Sequence, residues 1–578
     1  MTERSGQQWG PSVKRARMPR PIVLIIRDGW GIGRDYPGNA VALAHPPVLQ
    51  HLLTTYPHTV LGAAGSDVGL RPGYQGSSEV GHLNMGAGRI VEQEIVRVDK
   101  LIESGEFFRH PALLDATAQC TRLGTALHLM GLVQDQGVHA TEEHLYTLLE
   151  LARREGLARV FVHVFADGRD TPPRSALVYL ERLERKMAEL GVGRIASVMG
   201  RYYAMDRALN WDRTARAYDA LVHAKGLTAP SARAAIVQAY ARADQTLAAR
   251  AAGTVGDDVL VETDEFIQPT LIAGSDNRPL ASIHPGDAVI HFNFRQDRAI
   301  QLTRAFVEET FTGFARGPRL DICYRGLTRY YDDFPYAVLP PMNMDALVGE
   351  MVSGAGLWQL RIAEYQKYRH VTSFFNGKRM QAYPGEDRIL VPSVTVTEDR
   401  CPEMKAYPVT DLVVTAIRDG IAAARRLAGE MEGVRLDLEP SRALPEERGR
   451  DTYDLIVLNY ANCDMVGHTG VLPASVRAVE VTDECIGRVI AAARERGGAV
   501  LVTSDHGNVE QMIDPETGDV QTAHTTNDVE YVYVRDDDRT RQLRTRGVLA
   551  DVGPTVLQCL GLGVPPEMTA TTLFGDRK

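Results

Sequence analysis

The chain is poor in cysteine, and none of it is paired in sequence. Cys120, Cys323, Cys401, Cys463, Cys485 and Cys559 are scattered over 578 residues without a CxxC motif. That argues against a disulfide framework and fits reduced thiols in a cytoplasmic setting. Long apolar runs are missing as well. No stretch approaches the roughly 18 uninterrupted apolar residues of a membrane helix, so a membrane-spanning protein is not expected. A basic excess is also lacking: 64 basic residues stand against 74 acidic ones, for a net charge of −10. Neither nucleic acid nor an anionic membrane is therefore an expected partner. Only eight of the 64 basic residues are lysine, so a lysine near a candidate site is informative. Residues 1–20 hold Lys14, Arg15, Arg17 and Arg20 with no apolar segment behind them. They read as a disordered basic tail rather than a signal peptide.

What is present suits a globular protein. Apolar residues make up 44% and charged residues 24% of 63.6 kDa, enough for a sizeable core and two to four domains. Short apolar runs end abruptly in small or acidic residues. Pro21–Ile26 leads into Asp28-Gly-Trp-Gly31, Leu455–Leu458 leads to Asp464, and Ala499–Thr503 leads to Asp505-His506. Such runs predict strands buried on both faces of a parallel sheet. Helical stretches between them, such as Ala474–Arg496, make the fold class α/β. Chemistry in such sheets gathers beyond the carboxyl ends of the strands, and each run delivers an aspartate there.

A second α/β block fills the middle. Leu127–Val133, Val160–Phe165, Arg194–Val198 and Ala288–Phe294 read as strands, with helices over Glu143–Arg154 and Ser175–Leu190. Crossings near Val91–Asp99 and the proline-rich Leu339–Asn343 make this an inserted domain over 93–340. The outer domain is then discontinuous, 21–92 and 341–578, with a hinge at the two crossings. The charged, proline-broken stretch from Leu427 to Asp451 reads as a surface excursion.

Asp464 and His468 stand four apart, so on a helical turn they share a face and can ligate one cation. With Asp28, Asp505, His506 and His524 they make three carboxylates and three imidazoles. That set suits one or two divalent ions such as manganese, zinc or magnesium. Each residue alone reads better as a surface cap or a satisfied core histidine; their placement together at successive strand ends favours the cations. In Gln75–His82, a glycine precedes two serines and then Glu-Val-Gly. Ser78 there can cap a helix among free N–H groups that favour a phosphate, though from these residues alone a plain N-cap is the preferred reading. In the middle block, His139, Arg169, Asp170, Arg201, Arg207, Arg295 and Arg298 follow predicted strands. Guanidinium groups converging there would bind phosphate and carboxylate in bidentate fashion. Lys367 would bridge the two domains as a point charge for phosphate.

These strings closely resemble the cofactor-independent (2,3-bisphosphoglycerate-independent) phosphoglycerate mutases of the alkaline-phosphatase superfamily. The resemblance rests on Asp28-Gly-Trp-Gly, on Ser77-Ser-Glu-Val-Gly-His82 continuing to Arg89, and on Asp464-Met-Val-Gly-His468-Thr-Gly. Thr503-Ser-Asp-His-Gly-Asn508, Thr522-Ala-His-Thr-Thr-Asn527 and Ala204-Met-Asp-Arg207 complete it. It runs in order from about Pro21 to about Leu573. It implies an alkaline-phosphatase-like, doubly wound sheet domain with a second α/β domain inserted. It implies Ser78 as nucleophile, one metal on Asp464, His468 and His524, and another on Asp28, Ser78, Asp505 and His506. His139, Arg169, Asp170, Arg201, Arg207, Arg295 and Arg298 would bind phosphoglycerate, with Lys367 at the domain junction. The implied reaction interconverts 3- and 2-phosphoglycerate in glycolysis and gluconeogenesis through phosphoserine, with Asp170 moving the proton. It needs two divalent cations (manganese first, then magnesium, cobalt or zinc) and no 2,3-bisphosphoglycerate. A cytoplasmic monomer is expected.

The chain departs from the family at Ser77, at Gln366, at Ala140-Thr141, at Gln296 and Ile300, and at Arg27. Those changes leave room for a phosphohydrolase, or a mutase of another small phosphorylated acid. A binding protein without turnover is the third reading, and the intact ligand set argues against it.

Overall fold

The computed structural model describes residues 20–256, 259–438 and 452–575. The chain divides into two compact units, Met1–Glu92 with Asn343–Lys578, and Gln93–Met342. The basic tail expected over residues 1–20 lies outside the described residues except for Arg20, which ion-pairs with Asp454.

The first unit is built on a nine-stranded sheet. Five strands at its centre run parallel, in the order Glu386–Val391, Gln359–Glu364, Leu455–Tyr460, Ile22–Arg27 and Ala499–Thr503. Antiparallel Val529–Val534 and His58–Gly62 extend one side, and Arg546–Val548 closes it. Side chains alternate across a strand, and both faces of the central strands are dry. Val23, Ile25, Ile456, Leu458, Val500 and Val502 pack into one apolar cluster. Ile22, Leu24, Ile26, Leu455, Val457 and Leu501 pack into another on the opposite face. Burial on both sides is why these segments read as continuous apolar runs. Truncating one of them, Leu24→Ala for example, would cost about 2–5 kcal/mol.

Register then places the chemistry. Ile22 is level with both Leu455 and Ala499, and Arg27 with Tyr460. The segments carrying Asp28, Asp464 and Asp505 therefore leave the sheet at one edge, as does the turn after Glu364 that carries Lys367.

The excursion expected over 427–451 is corrected where it is described. Leu427 belongs to the helix Ile421–Glu430, and Arg435–Asp437 forms an antiparallel edge strand on Glu386–Val391. Leu427, Met431, Val434 and Leu436 pack on the core, which holds this stretch to the sheet. Residues 439–451 lie outside the description.

The second unit has a seven-stranded sheet in the order Leu227–Ala229, Thr270–Ile272, Arg194–Gly200, Val160–Ala166, Leu127–Leu132, Ala288–His291 and Cys323–Gly326. All pairs are parallel except Thr270–Ile272 against Arg194–Gly200. The Ala288 strand ends at His291 rather than Phe294 as expected. The Asn293 side-chain oxygen takes the Leu132 N–H at 2.9 Å, a bond a continuing ladder would have used. No helix among the described residues is long and apolar enough to cross a membrane, and all six thiols are free.

Candidate metal centre and anion site

In the first unit, the strand ends bring Asp28, Ser78, Asp464, His468, Asp505, His506, His524 and Lys367 together. Asp28 follows its strand directly, and Gly29 turns the chain away at φ +74°. A Cβ at Gly29 would stand 2.7 Å from the Asp464 backbone, so only glycine lets the two loops meet. Asp464 N–H donates to the Asp28 carbonyl at 3.0 Å, which fixes that meeting. Asp464 sits on the short helix Asn462–Gly467, and His468 Nε2 lies 3.2 Å from its Oδ1, the i,i+4 pairing expected.

The cap is corrected. Ser77, not Ser78, caps the helix Ser78–Ala87, its oxygen accepting from Val80 N–H. Ser78 is the first helical residue, and its hydroxyl is left for the site. It donates to Asp28 Oδ1 at 3.0 Å, accepts from Lys367 Nζ at 2.7 Å and lies 3.1 Å from His506 Nε2.

Lys367 is buried in the first unit. Its three donor positions go to Asp28 (2.7 Å), Ser78 and Asp464 (2.5 Å). Burial works against its charge, but Asp28, Asp464 and Asp505 outweigh burial and raise its pKa above the ordinary lysine value. Burial likewise opposes ionisation of Asp28 and Asp464, yet Lys367 holds both well below the usual carboxylate range.

The residues fit divalent cations on two observations. The Nδ1 atoms of His468, His506 and His524 sit on the carbonyls of Thr522 (2.7 Å), Gly507 (3.2 Å) and Gly76 (2.8 Å). A proton at Nδ1 leaves each Nε2 as a lone pair facing inward; those of His468 and His524 stand 3.2 Å apart. Asp464 Oδ1 and Asp505 Oδ2 are buried without a directed hydrogen bond among the described residues. Acceptors aimed at acceptors call for a cation. Two ligand groups have their atoms within 4.8 Å of one another: Asp464, His506 and His524, and Asp28, Asp505 and His506.

Sequence reasoning missed two residues beneath these ligands. Asn459 Nδ2 donates to Asp28 Oδ2 at 2.7 Å and lies 3.1 Å from His82 Nε2. His82 Nδ1 sits 2.9 Å from the Ser78 carbonyl and 3.2 Å from Asp505 Oδ2. The available signal was a fully apolar strand ending in a buried asparagine. Arg27, unusual for the resemblance, is buried, pairs with Glu530 at 2.9 Å and lies over the Trp30 ring. Gln366 is exposed, and Thr141 caps the helix Glu142–Arg154.

In the second unit, the strand-end residues gather arginines and aspartates into one network. Buried Arg201 grips Asp167 at 2.6 Å and Asp170 at 2.5 Å. Asp297, passed over in the sequence, joins Arg207 (2.5 Å), Arg295 (3.2 Å) and His139 (3.8 Å). Arg169 lies 3.5 Å from Glu265. Arg169, Arg201 and Arg298 line a cleft of about 310 Å³ together with Tyr202, Arg213 and Phe266. The Arg298 pKa is lowered by burial, then by Arg201, Arg207 and Arg169. Cationic groups that crowd one another in this way favour an anion among them.

Burial, then Arg201 and Arg295, push the His139 pKa from 6.5 down to about 3, against Asp297 and Asp170. His139 is thus a neutral imidazole at physiological pH. Its ring resonances should show no titration step between pH 5 and 8 by NMR; an inflection near 6.5 would contradict this placement. The unfolded chain takes up that proton first as pH falls through 6.5, so acidification disfavours the folded unit.

Comparison with known proteins adds independent findings. The family model for the BPG-independent PGAM N-terminus matches residues 98–332, and the metalloenzyme superfamily model matches 437–564. A 2,3-bisphosphoglycerate-independent phosphoglycerate mutase of Moorella thermoacetica is 48% identical over 96% of this chain and 98% of its own. One from Chloroflexus aurantiacus is 46% identical over 97% and 99%. Among solved structures, a Leishmania mexicana phosphoglycerate mutase studied at low cobalt concentration superposes with a TM-score of 0.65. It is 30% identical, over 97% of this chain and 98% of that one.

Proposed function

The chain belongs to the 2,3-bisphosphoglycerate-independent phosphoglycerate mutase family, and on that premise we propose that it interconverts 3- and 2-phosphoglycerate through a phosphorylated Ser78. The observation that carries this reading is the Ser78 hydroxyl, which meets Asp28, His506 and Lys367 at once.

The Ser78 hydroxyl hydrogen-bonds to Asp28 Oδ1, which orients it, and the Lys367 ammonium stabilises the charge that builds on Oγ as the proton leaves. Asp464, His468 and His524 would hold one divalent cation, and Asp28, Ser78, Asp505 and His506 the other. Bound there, the cations supply Lewis acidity, lowering the serine pKa and drawing charge from phosphoryl oxygens. Manganese is our choice among the ions that an oxygen and nitrogen set accepts.

Ser78 Oγ then attacks the phosphorus of 3-phosphoglycerate, the bond from phosphorus to the 3-oxygen breaks, and the proton lost by Ser78 ends on that oxygen, leaving glycerate. We assign its carboxylate to the guanidinium groups of Arg169, Arg201, Arg207, Arg295 and Arg298, which bind such groups in bidentate fashion. Neutral His139 offers a hydrogen bond to a glycerate hydroxyl. We assign Asp170, held by Arg201, to move the proton of the 2-hydroxyl as that oxygen attacks phosphoserine, the bond from phosphorus to Ser78 Oγ breaking and Oγ regaining a proton. Water must be kept from phosphoserine, or the outcome is hydrolysis. Free, scattered thiols fit a reducing compartment, so we place the activity in the cytoplasm. One chain carries every residue named, so a monomer suffices.

The test is to incubate purified protein with Mn²⁺ and 3-phosphoglycerate and to follow 2-phosphoglycerate and free phosphate. Isomerisation without phosphate release is expected. Phosphate alone would make it a phosphohydrolase, and neither product would make it a binding protein.

A further inference from the structure

One fully buried carboxylate in the first unit lies beneath three of the loops that carry the candidate ligands, and the mechanism above does not use it. Glu510 belongs to the short turn Val509–Gln511 and is 0% exposed. Its Oε2 accepts the N–H of Gly31 at 3.0 Å and of Asn508 at 2.8 Å. Its Oε1 accepts Asn527 Nδ2 at 2.9 Å and the Thr525 hydroxyl. Gly31 lies three residues beyond Asp28, Asn508 two beyond His506, and Thr525 directly after His524. Each donor is thus in a loop that holds a proposed ligand, and the three loops come from separate parts of the chain.

The packing leaves no slack. A Cβ at Gly31 would stand 2.5 Å from Glu510 Cδ, and one at Gly507 would stand 2.3 Å from Oε1. Backbone bonds run alongside: Val509 N–H donates to the Gly29 carbonyl at 3.2 Å, and Thr525 N–H to the Gly507 carbonyl at 3.0 Å. Metal–ligand distances tolerate only about 0.2 Å of error. Loops that arrive independently need a common anchor to meet that tolerance.

We infer that Glu510 is a positioning residue that sets the spacing of the two cation sites through the backbones of these three loops. The inference rests on the assignment of Asp28, Asp505, His506 and His524 as ligands. Its two oxygens divide the work. The Oε2 arm steadies the loops of Asp28 and of Asp505 and His506. The Oε1 arm steadies the loop of His524, which belongs to the other cation.

The experiment titrates metal-free full-length protein with Mn²⁺ by calorimetry, with the electron paramagnetic resonance of the bound ion as a second readout. In Glu510→Gln an amide NH₂ replaces one acceptor oxygen and faces donors. At least one Mn²⁺ should bind about 10–100-fold more weakly, while the metal-free protein still unfolds in one cooperative transition at a lowered midpoint. Two Mn²⁺ bound with wild-type affinity and an unchanged resonance would overturn the inference. Should Glu510→Gln not fold, the double substitution Thr525→Val with Asn527→Ala cuts the Oε1 arm and leaves the Oε2 arm in place. One Mn²⁺ should then loosen and the other stay, and two unchanged sites would again overturn it. Wild-type protein serves as the control for the underlying assignment. If it fails to bind two Mn²⁺, or if Asp464→Asn leaves both sites intact, the ligand assignment falls and the Glu510 inference with it.

Discussion

Ser78→Ala is expected to lower phosphoglycerate interconversion by about 10⁴-fold or more, since no neighbouring group replaces a lost nucleophile. The substitution removes one oxygen from the first turn of the helix Ser78–Ala87. The cap is Ser77, so the helix keeps its start. Six candidate ligands remain: Asp28, Asp464, His468, Asp505, His506 and His524. Mn²⁺ binding should therefore persist at both sites, weakened at most where the serine oxygen contributed. Stopped assays for 2-phosphoglycerate measure the first effect and calorimetry the second. A variant that turns over at the wild-type rate would remove Ser78 from the chemistry.

Lys367→Met is expected to damage both stability and turnover. The ammonium stands between Asp28 and Asp464, and all three groups are buried. Methionine keeps most of the volume and none of the charge. Removing one partner of a buried ion cluster costs about 3–5 kcal/mol, because the charges left behind are uncompensated. Urea unfolding of the metal-free protein should show that loss. Added Mn²⁺ should narrow it, because a cation bound to the folded state stabilises that state. Turnover should fall by about 10²–10³-fold through the lost donor to Ser78 Oγ. An unfolding midpoint equal to that of the wild type would contradict the electrostatic role.

The difference between these two residues shows what was legible in the chain. Asp28, Asp464 and Asp505 were readable because each follows an apolar run that can only be a buried parallel strand. The i,i+4 spacing of Asp464 and His468 was readable for an equally local reason. Pattern alone gives Ser78 the cap that Ser77 makes, since adjacent serines offer the same hydroxyl and only backbone geometry decides between them. The partners of Lys367 are hidden from local pattern because nothing in Tyr365-Gln-Lys-Tyr shows the register of Gln359–Glu364 against Leu455–Tyr460. That register is what brings the lysine to the aspartates.

Asn459, His82, Asp297 and Glu510 escaped for a common reason. Each acts on a residue distant in sequence, through a hydrogen bond or ion pair that exists only after the sheet has formed. Asn293 illustrates the same limit in the fold. It sits in an apolar run that reads as strand throughout, and its side chain replaces a ladder bond. Local pattern gives the strands; where a strand such as Ala288–His291 stops, and what meets at its end, are set by long-range pairing.

The account depends on a phosphoryl group passing through Ser78. The direct measurement is to quench the wild-type enzyme in acid during turnover of 3-phosphoglycerate labelled in its phosphoryl group, and then to map the label by peptide mass spectrometry. One phosphoryl group on the peptide carrying Ser78, chased into 2-phosphoglycerate when unlabelled substrate is added, is the predicted result. Active enzyme that carries no label on Ser78, or carries it on another residue, would contradict the account.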